Sequence, residues 1–540
     1  MSDQGPRGPR RDDGGRRDDA DRRDDGGRRN AKGRQRPERT HGDRERSAQR
    51  PSERNRSSDP QRLAAYTVLR AVAEGAYANL ELPKVLRDRG IRGRDAAFTT
   101  ELVYGAVRMH GLYDPIISVA AGRPLAKIDP NVLDTLRLGT HQLLGMRVPT
   151  HAAVDETVGL ARKVNGAGAA GFVNAVMRRV SERDLDAWLT EVVPSGELTA
   201  RLAVEQSHPE WIVKALRAAL LGHGAADADT ADAELTALVA ADNAPAKVSL
   251  VARPGLSTVA ELVDAGAVAS PLSPVGAVLD GGDPGGIPAV REGRAAVQDE
   301  GSQLVALALA AVPLATERAD GADRADGADR AHRAGATEQW LDLCAGPGGK
   351  AGLLAGLALQ AGADLTANEV SEHRADLVRQ TLRPAIARAD AAGRSLTVRT
   401  GDGRLVGEEE PARYDRVLVD APCTGLGALR RRPEARWRRT PADLADLGKL
   451  QRELLAAAID ATAVGGVIAY ATCSPHLAET TFVVGDVTKR RSDVELLDAR
   501  EFVRAADGAP VVVPGPGPTV QLWPHVHGTD GMFLALLRKR

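Results

Sequence analysis

Hydrophobic residues in the first half of the chain recur with helical spacing. Asp59 and Pro60 predict the start of a helix, because an aspartate N-cap followed by proline at the first helical position is a common helix entry. The apolar positions that follow lie three or four residues apart, as on one buried helical face. They are Leu63, Tyr66, Leu69 and Val72, then Leu133, Leu136, Leu143 and Leu144, then Val173, Val176, Met177 and Val180. Residues 59–185 are therefore predicted to form an all-α domain.

From residue 298 onward, short apolar runs alternate with longer amphipathic segments. The runs predict strands at 339–343, 364–368, 396–400, 415–420 and 466–472, and the segments predict helices at 302–312, 350–360, 372–388 and 442–462. This alternation is typical of a mostly parallel sheet with helices on both faces. Residues 298–540 are therefore predicted to form an α/β domain, and residues 186–297 to hold linker helices and a small α+β segment.

Two segments are predicted to be disordered. Residues 1–58 consist mainly of Arg, Asp, Gly, Ser and Gln, and offer almost nothing apolar to offset the entropy of ordering. They are interpreted either as a weak electrostatic tether for RNA or as a solvated extension whose charges alternate in sign. The second segment, about 315–337, contains the hexapeptide ADGADR twice and is expected to be a surface insertion in the α/β domain.

Composition excludes several classes of protein. Three cysteines in 540 residues are too few for a disulfide framework or a CxxC zinc site. His525 and His527 have no third ligand at a matching spacing, so a structural role and no metal site are predicted. The longest uncharged apolar stretch, 304–315, is shorter than the ~18 residues that a membrane span needs. These features predict a soluble cytoplasmic protein with no membrane partner, and nothing suggests more than a monomer.

A glycine-rich turn indicates a nucleotide-type ligand. The sequence CAGPGGK at 344–350 directly follows the predicted strand 339–343, and the next strand ends near the acid Glu369. Glycines at a strand's carboxyl end let backbone N–H groups approach a ligand, and an acid about twenty residues on can bind ribose hydroxyls. Taken alone, this pattern would also suit a simple strand-to-helix turn.

Two thiols and a carboxylate follow later strands. Asp420 and Cys423 lie in the sequence DAPC after the fourth strand, and Cys473 follows the fifth. The C5 atom of a pyrimidine is a poor nucleophile until a thiolate adds to C6, and a base must then remove the C5 proton so that the thiol can leave. One thiol attacking and one assisting release would explain both cysteines, whereas Cys344 is expected to pack beneath the glycine turn.

An arginine cluster suggests contact with nucleic acid. Arginines can hold phosphates and an indole can stack on a base, so the cluster is predicted to bind RNA as a local basic patch in a chain of net charge −1. The alternative is a solvated charged loop. The residues concerned are Arg430, Arg431, Arg432, Arg436, Trp437, Arg438 and Arg439.

Together these motifs resemble the RNA cytosine-C5 methyltransferases, in particular the bacterial 16S rRNA enzymes with a NusB-type helical RNA-binding domain. The similarity covers about 60–540 apart from the repeat insertion, with residues 60–180 resembling the NusB-type domain. The motifs are QDEGSQL (298–304), LDLCAGPGGK (341–350), LVDAPCTGLG (418–427), YATCS (470–474) and HVHGTDGMFLALLRK (525–539).

The resemblance implies S-adenosylmethionine as cofactor and 16S rRNA, or a small-subunit assembly intermediate, as substrate. It implies Cys473 as the nucleophile, Cys423 in product release and Asp420 at the methyl-transfer end. It also implies Glu369 at the ribose, where the family usually has Asp, and Asp402 near the adenine. The cofactor turn comprises Cys344, Ala345, Gly346, Pro347, Gly348, Gly349 and Lys350, with Gly346 where Ala is common.

Two alternative functions remain open from the sequence. One is a tRNA methyltransferase with the same cytosine-C5 chemistry, against which only the NusB-like region argues. The other is a non-catalytic RNA-binding or antitermination factor. The joint presence of Asp420, Cys423 and Cys473 argues against it, because a binding protein needs none of these three.

Overall fold

The computed structural model describes residues 59–315 and 337–540, which belong to one compact unit. The predictions of disorder for residues 1–58 and for most of the 315–337 insertion lie outside the described residues. None of the described helices is both long and apolar enough to cross a membrane.

Ten helices come first. The predicted entry is confirmed, because the Asp59 side chain accepts a hydrogen bond from the Gln61 amide ahead of the first helix. The helices are α1 (Pro60–Ala73), α2 (Ala78–Asp88), α3 (Gly93–Ala121), α4 (Pro130–Leu144), α5 (Thr150–Val164), α6 (Ala167–Ser181), α7 (Leu185–Val192), α8 (Leu198–Glu205), α9 (Glu210–Gly222) and α10 (Ala231–Asn243). Their apolar faces form the helical cores, as the spacing predicted.

A small antiparallel sheet follows. Its strands are β1 (Val248–Ala252), β2 (Val268–Ala269), β3 (Gly276–Leu279) and β4 (Ala295–Val297), in the order β2-β3-β1-β4, with helices α11 (Val259–Asp264) and α12 (Pro288–Arg291). This is the predicted small α+β segment. The predicted boundaries at residues 185 and 297 stay predictions.

The second sheet carries the strand ends predicted to form the site. Its strands are β5 (Gln339–Asp342), β6 (Asp364–Glu369), β7 (Leu396–Thr400), β8 (Tyr414–Asp420), β9 (Thr462–Thr472), β10 (Val494–Leu497), β11 (Val520–Gln521) and β12 (Phe533–Lys539). The order is β10-β12-β9-β8-β5-β6-β7, with β11 beside β12. Strands β5 to β9 pair in parallel, whereas β12 runs antiparallel to β9, β10 and β11.

Helices cover both faces of this sheet, as predicted. They are α13 (Glu300–Ala311), α14 (Gly349–Ala361), α15 (Glu372–Ala391), α16 (Val406–Glu409), α17 (Asp443–Ala461), α18 (Thr481–Thr488) and the short α19 (Pro524–His527). Helices α13, α14 and α15 pack on one face, and α16, α17 and α18 on the other. The chain enters α14, α15 and α16 at the carboxyl ends of β5, β6 and β7, so the polar strand ends share one edge.

Candidate functional site

The glycine turn lies between β5 and α14. Gly346 and Gly348 adopt φ of +58° and +94°, backbone conformations that favour glycine. The Ala345 amide donates to the Asn368 carbonyl at 2.9 Å, and the Gly346 amide donates to Glu369 Oε2 at 3.0 Å. The turn is thereby tied to the end of β6.

Glu369 and Asp402 lie at neighbouring strand ends. Glu369 is 3% exposed and also accepts from the Ser371 amide and from Arg374, so protein groups already engage both of its oxygens. Asp402 follows β7 and accepts from Arg404, whose hydrogen bonds hold the pKa of Asp402 below its usual value. Both acids have the positions that the sequence predicted, and their ligand contacts stay predictions.

A buried carboxylate beneath the turn was not singled out from the sequence. Asp342, the last residue of β5, is fully buried, and neither carboxylate oxygen has a partner of normal hydrogen-bond geometry among the described residues. Burial, with the nearby charge of Asp420, raises the pKa of Asp342 to about 7. An acceptor of this kind suits a cationic ligand group, such as the sulfonium and amino groups of S-adenosylmethionine.

An ion pair faces the same edge from α14 and β8. Lys350 Nζ lies 2.8 Å from Asp420 Oδ2 and 3.2 Å from the Ser302 hydroxyl. Burial opposes the charge on Lys350, but Asp420 outweighs it and raises the pKa of the ammonium group. The lysine of the glycine turn is thus fixed on the carboxylate of the DAPC sequence.

The two thiols meet at this edge. Cys423 follows β8 and Cys473 follows β9, the next parallel strand, and their Sγ atoms are 3.3 Å apart. The Gly427 amide donates to the Cys473 carbonyl at 2.8 Å and ties the two loops together. Both residues are of intermediate exposure, although their thiol groups lie in a largely buried environment.

The surroundings of the two thiols differ. The hydrogen bond between the two thiols lowers the pKa of Cys473, with help from the positive charges of Lys350 and Arg432, whereas burial and Asp420 oppose this effect. The pKa of Cys423 is raised well above its usual value by that hydrogen bond and by burial. The thiolate is the nucleophilic form, so this environment favours Cys473 as the attacking group and Cys423 as a proton donor.

The arginine segment requires a correction. Arg436 is fully buried, and its guanidinium donates to the carbonyls of Ser207 (3.1 Å) and Asp242 (2.9 Å) and to Asn243 Oδ1 (2.8 Å). It also contacts the Arg108 carbonyl at 3.4 Å. This side chain links the α/β region to the helical region, so the prediction that it holds RNA phosphates is wrong for the described structure.

Two further arginines of the segment are engaged by acids. Arg431 pairs with Asp299 (2.6 Å) and Asp530 (3.0 Å), and Arg430, 9% exposed, lies 3.6 Å and 3.7 Å from the same two carboxylates. These acids come from the QDEGS and TDGMF motifs. The prediction of free phosphate contacts therefore does not hold for Arg430 and Arg431 in this structure, because both neutralise buried carboxylates.

Arg432 and Trp437 remain candidates for RNA contact. Arg432 is exposed and has no salt bridge within the described ranges, and its guanidinium lies 5.6 Å from the centre of the Tyr77 ring. Trp437 is 38% exposed and stacks against His110, with ring centres 4.5 Å apart. Both lie where the helical region meets the α/β region.

Sequence reasoning missed four polar residues around the thiols and the lysine. Their signals were weak, because single serines, threonines and acids are common in loops. The motifs QDEGSQL, LVDAPCTGLG and YATCS contain Ser302, Thr424 and Ser474, whereas Glu479 lies in none of the motifs. The four residues are Ser302, Thr424, Ser474 and Glu479.

Comparison with known protein families gives two matches. Residues 333–538 match the family model described as 16S rRNA methyltransferase RsmB/F, and residues 59–182 match the model of the NusB family. The matched regions hold the second sheet and helices α1 to α6, respectively.

Similar proteins extend over nearly the whole chain. A Mycobacterium tuberculosis protein, Rv1407, whose name provisionally describes a methyltransferase, is 51% identical over 90% of this chain and 98% of its own. Ribosomal RNA small subunit methyltransferase B of Pseudomonas putida is 32% identical over 81% of this chain and 91% of its own. The crystal structure of PH0851 has a TM-score of 0.71 at 20% identity, covering 89% of this chain and 99% of that one. At that identity the likeness shows the fold.

Proposed function

Because this chain belongs to the 16S rRNA methyltransferase RsmB/F family, we propose that it methylates C5 of a cytosine in 16S rRNA through a covalent cysteine adduct. It is an S-adenosylmethionine-dependent enzyme that methylates RNA. The observation that carries the finer proposal is the pair of thiols, 3.3 Å apart beside the Lys350–Asp420 ion pair.

The residues of the turn fit the cofactor. S-adenosylmethionine supplies a methyl group on a sulfonium. Gly346 and Gly348 allow close approach of a ligand to the backbone, and the Asp342 carboxylate gives a buried acceptor for positive charge. Glu369 and Asp402 are proposed to bind the ribose and to lie near the adenine.

The first step would be attack by Cys473. Its thiolate forms a bond to C6 and pushes the C5–C6 electron pair toward C5, which can then accept the methyl group. Lys350 Nζ lies 2.8 Å from Asp420 Oδ2 and holds this carboxylate in place beside the thiols. The Asp420 carboxylate can accept a hydrogen bond from the cytosine 4-amino group, which would orient the ring for attack.

The second step would be release. A base, such as a water molecule, must take the C5 proton so that the C5–C6 double bond re-forms and expels the Cys473 thiolate. Cys423 touches Cys473, and the hydrogen bond between the two thiols and burial raise its pKa, so it stays protonated and its S–H can stabilise the departing thiolate by a hydrogen bond. Loss of Cys423 would therefore halt the reaction after attack.

RNA is proposed to approach where the NusB region meets the α/β region. Arg432 and Trp437 are exposed there and lie close to the site, because the Arg432 charge acts on Cys473. The cation can contact a phosphate and the indole can stack on a base.

Two substitutions test the mechanism. Cys473→Ala should form neither product nor adduct. Cys423→Ala should accumulate a protein–RNA species that survives denaturing electrophoresis and needs S-adenosylmethionine for efficient formation. An adduct in Cys473→Ala but not in Cys423→Ala would reverse the roles, and full activity of both variants would refute the covalent mechanism.

Bisulfite mapping tests the substrate. RNA from cells with and without the gene should differ at a cytosine of 16S rRNA. A difference confined to tRNA would favour the tRNA alternative, and no difference in either RNA, together with an inactive purified protein, would favour a binding factor.

A further inference from the structure

A buried glutamate joins the loops that carry the two thiols. Glu479, in the short turn between β9 and α18, is fully buried. Its Oε1 accepts from the Thr424 amide at 2.8 Å and from Gln451 Nε2 at 3.2 Å, and its Oε2 accepts from the Thr424 hydroxyl. The carboxylate is therefore bound to the residue that directly follows Cys423.

The same network reaches the residue that directly follows Cys473. The Thr424 hydroxyl lies 3.1 Å from the Ser474 hydroxyl, so Glu479, Thr424 and Ser474 form one chain of hydrogen bonds. Gln451 also donates to the Pro422 carbonyl at 2.8 Å, on the other side of Cys423. Both thiols are thus flanked by residues of this network.

We propose that Glu479 is a positioning residue that holds Cys423 against Cys473 and places a negative charge near the Cys423 thiol. The assignment deepens the proposed function and rests on it. Glu479 does not contact the reacting atoms; it acts through Thr424, and through its negative charge on Cys423.

The physical reason is that the two loops leave different strands and are otherwise weakly joined. Cys423 and Cys473 are 50 residues apart in sequence. A main-chain hydrogen bond from the Gly427 amide to the Cys473 carbonyl joins their loops directly. A buried carboxylate that accepts several hydrogen bonds fixes loop geometry strongly, because leaving its donors unpaired is costly.

The charge of Glu479 adds an electrostatic effect. The hydrogen bond with Cys473 and burial come first in raising the pKa of Cys423, and the negative charge of Glu479 raises it further. A neutral side chain of the same shape at 479 should therefore lower the pKa of Cys423.

The test is Glu479→Gln, with Tyr470→Phe as the matched control. Tyr470 donates to the Glu479 carbonyl at 2.8 Å, so its loss disturbs the same buried turn but leaves the carboxylate in place. Both changes are made in a Cys473→Ala background, where the bond between the thiols is absent. The pH midpoint of Cys423 alkylation by iodoacetamide is then measured by peptide mass spectrometry, which separates it from Cys344.

We expect Glu479→Gln to lower the Cys423 midpoint by about half a pH unit or more, and Tyr470→Phe to leave it unchanged. With Cys473 present, Glu479→Gln should lower kcat about tenfold or more while the KM for S-adenosylmethionine stays the same. Equal midpoints in the two variants, or a change in the cofactor KM alone, would overturn the proposal.

Thr424→Val gives a second route if Glu479→Gln does not fold. It removes the hydroxyl between Glu479 and Ser474 but keeps the charge, so kcat should fall without a lower Cys423 midpoint. Unchanged kcat in this variant would overturn the positioning role. Alkylation needs no RNA, so a midpoint shift in a protein that methylates no cytosine would refute the proposed function and not the effect of Glu479 on Cys423.

Discussion

The strand-end motifs and the arginine segment 430–439 both gave clear sequence signals, but they differ in how well those signals predicted their surroundings in the structure. The glycine turn, Asp420 and both cysteines lie together at one edge of the sheet, as predicted. In the arginine segment Arg430 and Arg436 are buried, whereas Arg432 and Trp437 are exposed. The geometry of a strand followed by glycines is set by residues close together in the sequence. A run of charged residues, in contrast, does not indicate which distant parts of the chain pack against it.

The partners of the buried arginine explain this difference. Arg436 bonds to Ser207 and Asp242, which lie 229 and 194 positions away in the sequence. The carbonyl group of any residue can serve as an acceptor, so no pattern of side chains in the sequence predicts where a buried arginine will bind. Sequence charge alone cannot distinguish a phosphate-binding arginine from one that seals an interface.

The largest effect should come from Arg436→Ala. It leaves several buried carbonyl acceptors unpaired, which should cost about 3–5 kcal/mol in the free energy of unfolding. The measurement is urea denaturation followed by near-ultraviolet circular dichroism. The control is Arg439→Ala, a partly exposed neighbour that lies 4.0 Å from Asp443 and should change little. Equal free energies of unfolding for the two variants would indicate that the segment is solvated and that Arg436 does not join the two regions.

Next in size is Gly348→Val. Gly348 has φ of +94°, and an added Cβ would lie 3.0 Å from the Thr381 Cβ, so the turn must distort. Calorimetry should show S-adenosylmethionine binding weakened about a hundredfold or more, since the backbone can no longer approach the ligand. Gly362→Val, with φ of +69° at the other end of α14, is the matched control for backbone strain. Wild-type affinity in folded Gly348→Val would refute the cofactor turn.

A third effect, smaller for each pH unit, concerns pH. Burial, with Asp420, raises the pKa of Asp342 to about 7, so the folded protein keeps a proton that the unfolded chain loses near its ordinary value. The free energy of unfolding should therefore fall as pH rises from about 4 to about 7, by up to about 1.4 kcal/mol per pH unit. Asp342→Asn should remove this contribution, as urea midpoints measured across the window would reveal. An unchanged slope would contradict the raised pKa of the buried carboxylate.

The smallest expected effect is that of Arg432→Ala on RNA binding. One lost phosphate contact should lower the slope of log K against log salt by about one and weaken binding a few-fold. Filter binding at several salt concentrations measures both. Cofactor affinity should stay the same, and a slope equal to that of the wild type would leave the segment without a phosphate contact at this position.

Much of the fold followed from local patterns. The helix that begins at Pro60 and strands β5 to β9 fall within a few residues of the prediction, because capping and apolar spacing act locally. Strands β10 to β12 were not assigned, and β12 gains its place through antiparallel pairing with β9, Phe533 opposite Thr472. Glu479 could not be recognised either, since its role depends on Thr424, which lies 55 positions away.

The buried arginine also sets a distance. From Cys423 the chain runs only thirteen residues to Arg436, whose side chain is locked among the helices by four acceptors. Cys423 and the helical region are therefore joined by one short segment of chain. An RNA bound by the helical region would place its nucleotides at a fixed distance from the thiols. That distance would help to determine which base of the RNA reaches them.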